Sequence, residues 1–381
     1  MALRRTSSGT ARPVISAVSV LAATLTLAAA AGTRTVGVGL PGAVSAAVTA
    51  HDAAHMAGAH QVGISDPDLI TKRPAVQAAE LAQMKAIGIT SIRLDADWSR
   101  VQRGGPGTFR WGPLDQAVRS IRAAGMSADL IIDGCPAWAA AAGTSGDVSP
   151  PPASPAQYAA FAAEVAARFA RRGVRTFEIW SEPNSAGFWS PKPNPAAYTA
   201  DLRAAYTSIK ETDRAAFVLS GGLGPEANDG TNINAVTFLQ DMYADGAKGS
   251  FDALGYHPYS YPALPDSYRW WSGWSQMDQT RPSIRSVMDR HGDAGKQIWI
   301  TEVGAPSAGP GGVGQRRQAA EVTQAITHAR TTRWIGGLYL YSWQDEGTDP
   351  ASSQDWFGLV TAAGGDKAAY HAVATALGHA R

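Results

Sequence analysis

Apolar and polar positions along the chain fall into a repeated two-part unit. From about His60 onward, short apolar runs alternate with longer segments whose apolar residues return every three or four positions, and the alternation occurs eight times. The short runs (61–64, 91–94, 128–132, 176–180, 217–220, 253–256, 297–301 and 337–341) read as strands. Between them stand helix signals. Ser154-Pro155 and Asn194-Pro195 each put a capping side chain before a proline at the first helical position. Tyr158, Phe161 and Val165 then share a face, as do Tyr198, Leu202 and Ile209, and Gly173 stands past the end of the first of these helices. The pattern returns from Pro74 to Gly88, from Pro113 to Gly125, from Pro282 to Gly292, and in a last segment with Tyr370, Val373 and Leu377.

Strand then helix, eight times over in about 320 residues, predicts an α/β chain folded as a single (β/α)8 TIM barrel. A doubly wound open sheet competes with it. That fold asks for a glycine-rich turn after an early strand, and Ser65-Asp66-Pro67-Asp68 after the first strand cannot cradle a phosphate. Gly221-Gly222-Leu223-Gly224 follows the fifth strand, but without the rest of the fingerprint it is a weak signal. The Gly/Pro/Ser-rich stretches 143–152 and 306–314 follow strands three and seven, where a barrel keeps its functional loops.

Composition narrows the function without naming it. The 381 residues are 45% hydrophobic and 17% charged with a formal net charge of +1, and Lys and Arg are dispersed. No nucleic-acid partner and no stable membrane partner is expected from that balance. Residues 1–50 differ from the rest: Arg4-Arg5, an apolar run over 14–31, then small-residue sites at Val44-Ser45-Ala46 and Val48-Thr49-Ala50. That is the order of a cleaved signal peptide and pro-segment, so the barrel is assigned to 51–381 and the protein to the secreted or cell-envelope fraction. An uncleaved N-terminal anchor is the alternative. Cys135 is the sole cysteine, so no intrachain disulfide forms, and it reads as a small buried hydrophobe.

Candidate chemistry begins at Phe177-Glu178-Ile179-Trp180-Ser181-Glu182-Pro183-Asn184, an apolar run that delivers Glu182 to the end of strand four. Strand seven repeats the device in Ile298-Trp299-Ile300-Thr301-Glu302. The C-terminal strand ends of a barrel converge on one face, so the two carboxylates can meet across its mouth. Such a pair is the equipment for hydrolysing a glycosidic bond, one carboxyl protonated and the other ionised. Glu178, one layer down, reads as a buried and paired structural carboxylate. Asp95 and Asp97 read as loop-positioning groups, and Asp345 and Glu346 as a subsite wall or a solvated loop.

Trp180-Ser181-Glu182-Pro183-Asn184 together with Thr301-Glu302-Val303-Gly304 resembles the clan A retaining glycoside hydrolases, families 39 and 5 most of all. Ile92-Arg93-Leu94-Asp95 with Trp98, Pro136-Ala137-Trp138, His257-Pro258-Tyr259 and Tyr341-Ser342-Trp343 extend the likeness over about residues 60 to 375. The resemblance implies that Glu182 is the acid/base and Glu302 the nucleophile, with Arg93 beside Glu302. It implies that His257 or Tyr259 bonds the nucleophile or the sugar, and that Trp343 floors the sugar subsite. Trp98, Trp138, Ser181 and Asn184 complete the implied substrate-binding set. Ser181 departs from the family, where Asn at this position binds the sugar 2-hydroxyl.

The function expected is a secreted retaining hydrolase cutting a polysaccharide or glycoconjugate by double displacement. The long loops tilt it toward endo action. A glycan-binding barrel without catalysis and a transglycosylase using the same residues are the other readings. The carbohydrate is the expected partner, and no cofactor is expected. His51, His55 and His60 precede the first strand, and of the stations a metal-dependent barrel hydrolase needs only His257 is filled, so no metal is expected. Tyr259, Tyr261, Tyr268, Trp270, Trp271 and Trp274 crowd the loop after strand six, as a sugar-binding wall or a local cluster.

Overall fold

A computed structural model describes residues 61–379. The expected signal segment and His51, His55 and His60 lie outside the described residues. Eight strands stand where the apolar runs predict them: β1 (Gln61–Ser65), β2 (Ser91–Asp95), β3 (Ser127–Ile132), β4 (Thr176–Ser181), β5 (Phe217–Gly222), β6 (Leu254–Tyr256), β7 (Ile298–Val303) and β8 (Ile335–Tyr341). All pair in parallel, in the order β5, β4, β3, β2, β1, β8, β7, β6. Parallel bridges from Leu219 to Ala253 and from Leu223 to Tyr256 join the two ends. The sheet is therefore a TIM barrel and not an open doubly wound sheet.

The helices are α1 (Pro74–Ala86), α2 (Trp98–Val101), α3 (Gly112–Ala123), α4 (Pro155–Ala170), α5 (Pro195–Thr212), α6 (Ala235–Ala244), α7 (Gly273–Asp278), α8 (Ile284–Arg290), α9 (Gln315–Thr331) and α10 (Ala368–Ala376). Capping chemistry works as the sequence predicts: Ser154 accepts from the Gln157 N–H and Asn194 from the Ala197 N–H. α6 and α9 have no proline at their first turn, so that particular start signal is absent from them. No described helix is long and apolar enough to cross a membrane.

Two cores follow from the strand alternation. One lies between strands and helices; the other plugs the barrel's lower end with Leu219, Ala253, Trp299 and Tyr339. Trp299 is thus a packing residue, as its place within a strand suggests. Gly337 on β8 makes room for it, since a Cβ there would come 2.7 Å from the Trp299 ring. Above this plug the barrel interior turns polar, with Arg93, Asp129, Glu178 and Thr301 all fully buried. Burying so many polar groups is tolerable only where they are paired or, as for Asp129, uncharged, and the pairing of Arg93, Glu178 and Thr301 shapes the site.

Candidate active site

β4 does not run as a plain alternating strand to its end. Trp180 has φ 70° and Glu182 φ 45°, left-handed conformations that cost a residue with a side chain about 1–3 kcal/mol each. Their effect is directional. Trp180 leaves the expected alternation and turns outward, its ring 5.1 Å from Trp189 and 6.0 Å from Tyr158 of α4, its indole N–H donating to Phe188 O at 2.7 Å. Glu178 faces the barrel interior, and Ser181 and Glu182 reach the mouth. The Glu182 N–H is held by Gly222 O at 2.9 Å.

The two strand-end carboxylates meet, as their stations require. On β7, Glu302 takes Arg93 Nη1 on Oε1 at 2.6 Å and the Tyr259 hydroxyl on Oε2 at 2.9 Å. Burial pushes this carboxyl up, but the His257 and Arg93 charges and the hydrogen bonds from Tyr259 and Arg93 outweigh it and hold it below the usual carboxylate range. Glu182 meets an imidazole instead: His257 Nδ1 is 2.8 Å from its Oε1. The same nitrogen is 3.9 Å from Glu302 Oε2. The facing oxygens can therefore be no further apart than those two distances laid end to end, so the two carboxyls share one end of the cleft. The sequence left open whether His257 or Tyr259 serves Glu302; Tyr259 bonds it and His257 bonds Glu182.

Glycines at the end of β5 and just past it serve this pair and hold no phosphate. A Cβ on Gly222 would fall 2.2 Å from His257 Nε2, and one on Gly224 would fall 3.1 Å from the Glu182 carboxyl carbon. Only glycine lets β5 pass that close.

A cleft of about 780 Å³ opens over the pair. Ser181 and Tyr259 line it, while Arg93 and His257 lie behind it, buried, and act on the carboxylates. Besides Arg93 and His257, four more of the expected substrate contacts are not in its wall. Asn184 is wholly buried, donating to Gly224 O and Ile233 O at 2.8 Å each and accepting from the Gly224 N–H at 2.9 Å, so its amide is consumed by backbone. Trp98 is in the outer core, 5.5 Å from Phe161, with its indole N–H on Gln102 Oε1. Trp138 packs edge-on against it and donates to Gln102 O. Trp343 is buried against Tyr370 and cannot floor a sugar subsite. A place after a strand end puts a residue near the mouth but leaves its rotation open, and these side chains rotate into the shell between strands and helices.

Other residues make the wall. Tyr341, the last residue of β8, and Phe357, from the following loop, pack 5.4 Å apart and supply aromatic surface, joined by Tyr261 and Phe188. Tyr341 was visible as the strand's final aromatic; Phe357 carries no local signal. Glu226, four residues past β5, is a third carboxyl in the wall, raised to about 7 by burial and by the charge of Glu182, with the Ser185 hydrogen bond opposing. Asp97 caps α2 through the Arg100 N–H, and Asp345 is buried on Lys367 Nζ at 2.8 Å. Cys135 is buried, its thiol pushed up to about 12 by burial and the Asp201 charge. Among the described residues no three His, Cys, Asp or Glu side chains are grouped to hold a metal ion.

The family model for cellulase, glycosyl hydrolase family 5, matches residues 57–345, from ahead of β1 to just past β8, both carboxylates included. The chain belongs to glycosyl hydrolase family 5. The clan A resemblance is thereby upheld, and with it membership of a group of retaining O-glycosyl hydrolases. The barrel is also similar to that of a family 39 glycoside hydrolase from Bacteroides cellulosilyticus WH2 (TM-score 0.65, 20% identity), over 85% of this family 5 chain and 64% of that one. A monomeric beta-xylosidase from Caulobacter crescentus CB15 gives TM-score 0.62 at 17% identity, over 82% and 67%. A GH5_18 structure from Streptomyces cattleya in complex with GlcNAc gives 0.60 at 18%, over 84% and 80%. At these identities the likeness is one of fold. The chain thus spans just under two thirds of the length of the Bacteroides protein. No curated protein matches the sequence significantly.

Proposed function

We propose that this family 5 protein is a secreted, endo-acting hydrolase that cuts an uncharged polysaccharide by double displacement, with Glu302 as nucleophile and Glu182 as acid/base. One observation carries the division of labour: Glu302 is clamped by a guanidinium and a phenol, whereas Glu182 shares a hydrogen bond with an imidazole. In the first step a Glu302 oxygen attacks the anomeric carbon while Glu182 gives its proton to the departing glycosidic oxygen. In the second, Glu182 takes a proton from water, the water oxygen bonds to the anomeric carbon, and Glu302 leaves as carboxylate.

Two features support the substrate class. Asp95, Asp97, Asp133, Glu226 and Asp229 line the cleft besides the pair, against Arg100 as the cation among the described lining residues. A wall of that charge repels a polyuronate and tolerates a neutral glycan. Wall residues from the loops after β2 and β3 and from those after β6 and β8 flank the pair on both sides, which suits an internal chain segment. Secretion rests on the charged, apolar and small-residue order of residues 1–50.

The test is covalent labelling with mechanism-based fluoroglycosides of several sugar configurations. A glycosyl adduct on Glu302, lost in Glu302→Gln, is expected; an adduct on another carboxylate would overturn the assignment. Glu182→Ala should spare activated aryl glycosides more than ordinary ones, because their leaving groups need no proton. Long reduced oligosaccharides should yield mid-chain cuts, and mass spectrometry of exported protein should find a new N-terminus near Ala46 or Ala50.

A further inference from the structure

We infer that Glu178, a carboxylate outside the cleft, is a positioning residue that sets both members of the catalytic pair through two hydrogen-bonded arms. The inference rests on the roles proposed above for Glu182 and Glu302. Glu178 is fully buried on β4. It accepts Arg93 Nε on Oε2 at 2.6 Å, and on Oε1 it accepts Arg93 Nη2 at 3.1 Å, the Gly222 N–H at 2.8 Å and the Thr301 hydroxyl at 3.1 Å. A carboxyl gripped on both oxygens by one guanidinium and filled by two further donors is ionised.

The first arm is Arg93. Its Nε and Nη2 are occupied by Glu178, which fixes the plane of the guanidinium and aims Nη1 at Glu302 Oε1, 2.6 Å away. Without Glu178 the guanidinium would keep only Ser65 Oγ at 3.0 Å and Ser181 Oγ at 3.5 Å besides Glu302, and the nucleophile's counter-charge would be less firmly aimed.

The second arm settles a tautomer. Thr301 has one hydroxyl proton, and the acceptor-only Oε1 of Glu178 claims it. His257 Nε2, 3.0 Å from the same hydroxyl oxygen, must then carry its hydrogen and donate. Nδ1 is left facing Glu182 Oε1 at 2.8 Å with one proton between them. If Thr301 instead donated to Nε2, it would turn a lone pair on the Glu178 carboxylate. Nδ1 would then hold the hydrogen, and Glu182 would have to be ionised to receive it. The orientation imposed by Glu178 is the one that keeps a proton available to Glu182.

The surrounding charges agree. Asp129 on β3, Tyr198 on α5 and Tyr339 on β8 also face Glu178, together with Arg93, which bridges it to Glu302. Burial and the Glu178 charge hold the Asp129 carboxyl well above the usual range, so Asp129 adds no second negative charge beside Glu178.

The experiment is the pH dependence of kcat/KM on an unactivated glycoside the enzyme cleaves, whose leaving group needs the Glu182 proton, for the wild type, Glu178→Gln, Thr301→Val and Thr301→Ser. Thr301→Val removes the acceptor for Nε2–H, so the alkaline limb should move to lower pH by about one unit while the acid limb stays. Thr301→Ser keeps the hydroxyl and should restore the wild-type profile. Glu178→Gln deletes a negative charge near both carboxylates and should move both limbs to lower pH. Limbs that stay in place while only kcat or Tm falls would make Glu178 and Thr301 merely structural. The Thr301 pair decides the matter alone if Glu178→Gln fails to fold. Labelling of Glu302 is read first in the wild type: its failure sinks the role assignment, and unmoved limbs with the label intact sink only the positioning role.

Discussion

Gly222→Ala is the substitution that asks most of this site for the least change in chemistry. The new Cβ would lie 2.2 Å from His257 Nε2, 2.5 Å from its Cδ2 and 2.5 Å from Thr301 Oγ1. Carbon contacts settle near 3.5–4 Å, so the imidazole must retreat by about 1 Å. His257 is fully buried, and its move comes at the expense of the 3.0 Å contact to Thr301 and the 2.8 Å contact to Glu182. Losing a hydrogen bond to a charged partner costs about 1.5–3 kcal/mol, and a 1 Å misplacement at a reacting centre costs about 10²-fold in rate. Overpacking a core costs about 1–3 kcal/mol of stability, a few degrees of Tm for a barrel this size. Gly222→Ala should therefore remain folded at 25 °C and lose about a hundredfold in kcat/KM. The assay is initial rate on an aryl glycoside, with thermal melting alongside and Gly224→Ala as the milder neighbour. A Gly222→Ala enzyme with wild-type kcat/KM would refute the claim that β5 is bare at this point for the sake of His257.

Because the His257 and Arg93 charges hold Glu302 below the usual carboxylate range, the acid limb of kcat/KM should fall below that of an ordinary glutamate. Activity lost as pH drops returns only above that limb, and Tyr259→Phe, which removes a donor to the ionised form, should raise it. Glu226, raised to about 7, is ionised above that pH and then helps keep the proton on Glu182, so Glu226→Gln should draw the alkaline limb to lower pH; an unchanged limb would remove Glu226 from the electrostatics of the site. Cys135, buried and pushed up to about 12, should resist iodoacetamide at pH 8 in the folded protein and react after denaturation, which mass spectrometry reads directly.

Much of this was written in local chemistry. Each strand needed only a short apolar run, the caps of α4 and α5 needed only Ser154-Pro155 and Asn194-Pro195, and those signals act within a few residues. Glu182 and Glu302 were legible for a related reason: an apolar strand ending in a carboxylate exposes that group wherever the barrel's C-terminal ends converge. Asn184, Trp98, Trp138 and Trp343 were misplaced because nearness to a strand end says nothing about rotation. Trp180 shows the converse, a left-handed φ that breaks the period-two rule and turns the ring outward.

The sequence by itself thus determined the barrel and the two carboxylates at its mouth, because periodicity and strand-end position are properties of short segments. Which carboxylate is held ionised, which ring nitrogen of His257 faces Glu182, and what Glu178 does between them were decided only by tertiary structure. Those properties belong to contacts among β2, β4, β5 and β7 and the loop after β6, drawn from across more than two hundred residues of chain. In a buried site the dielectric is low, so the nearest donor outweighs anything the residue type alone would predict.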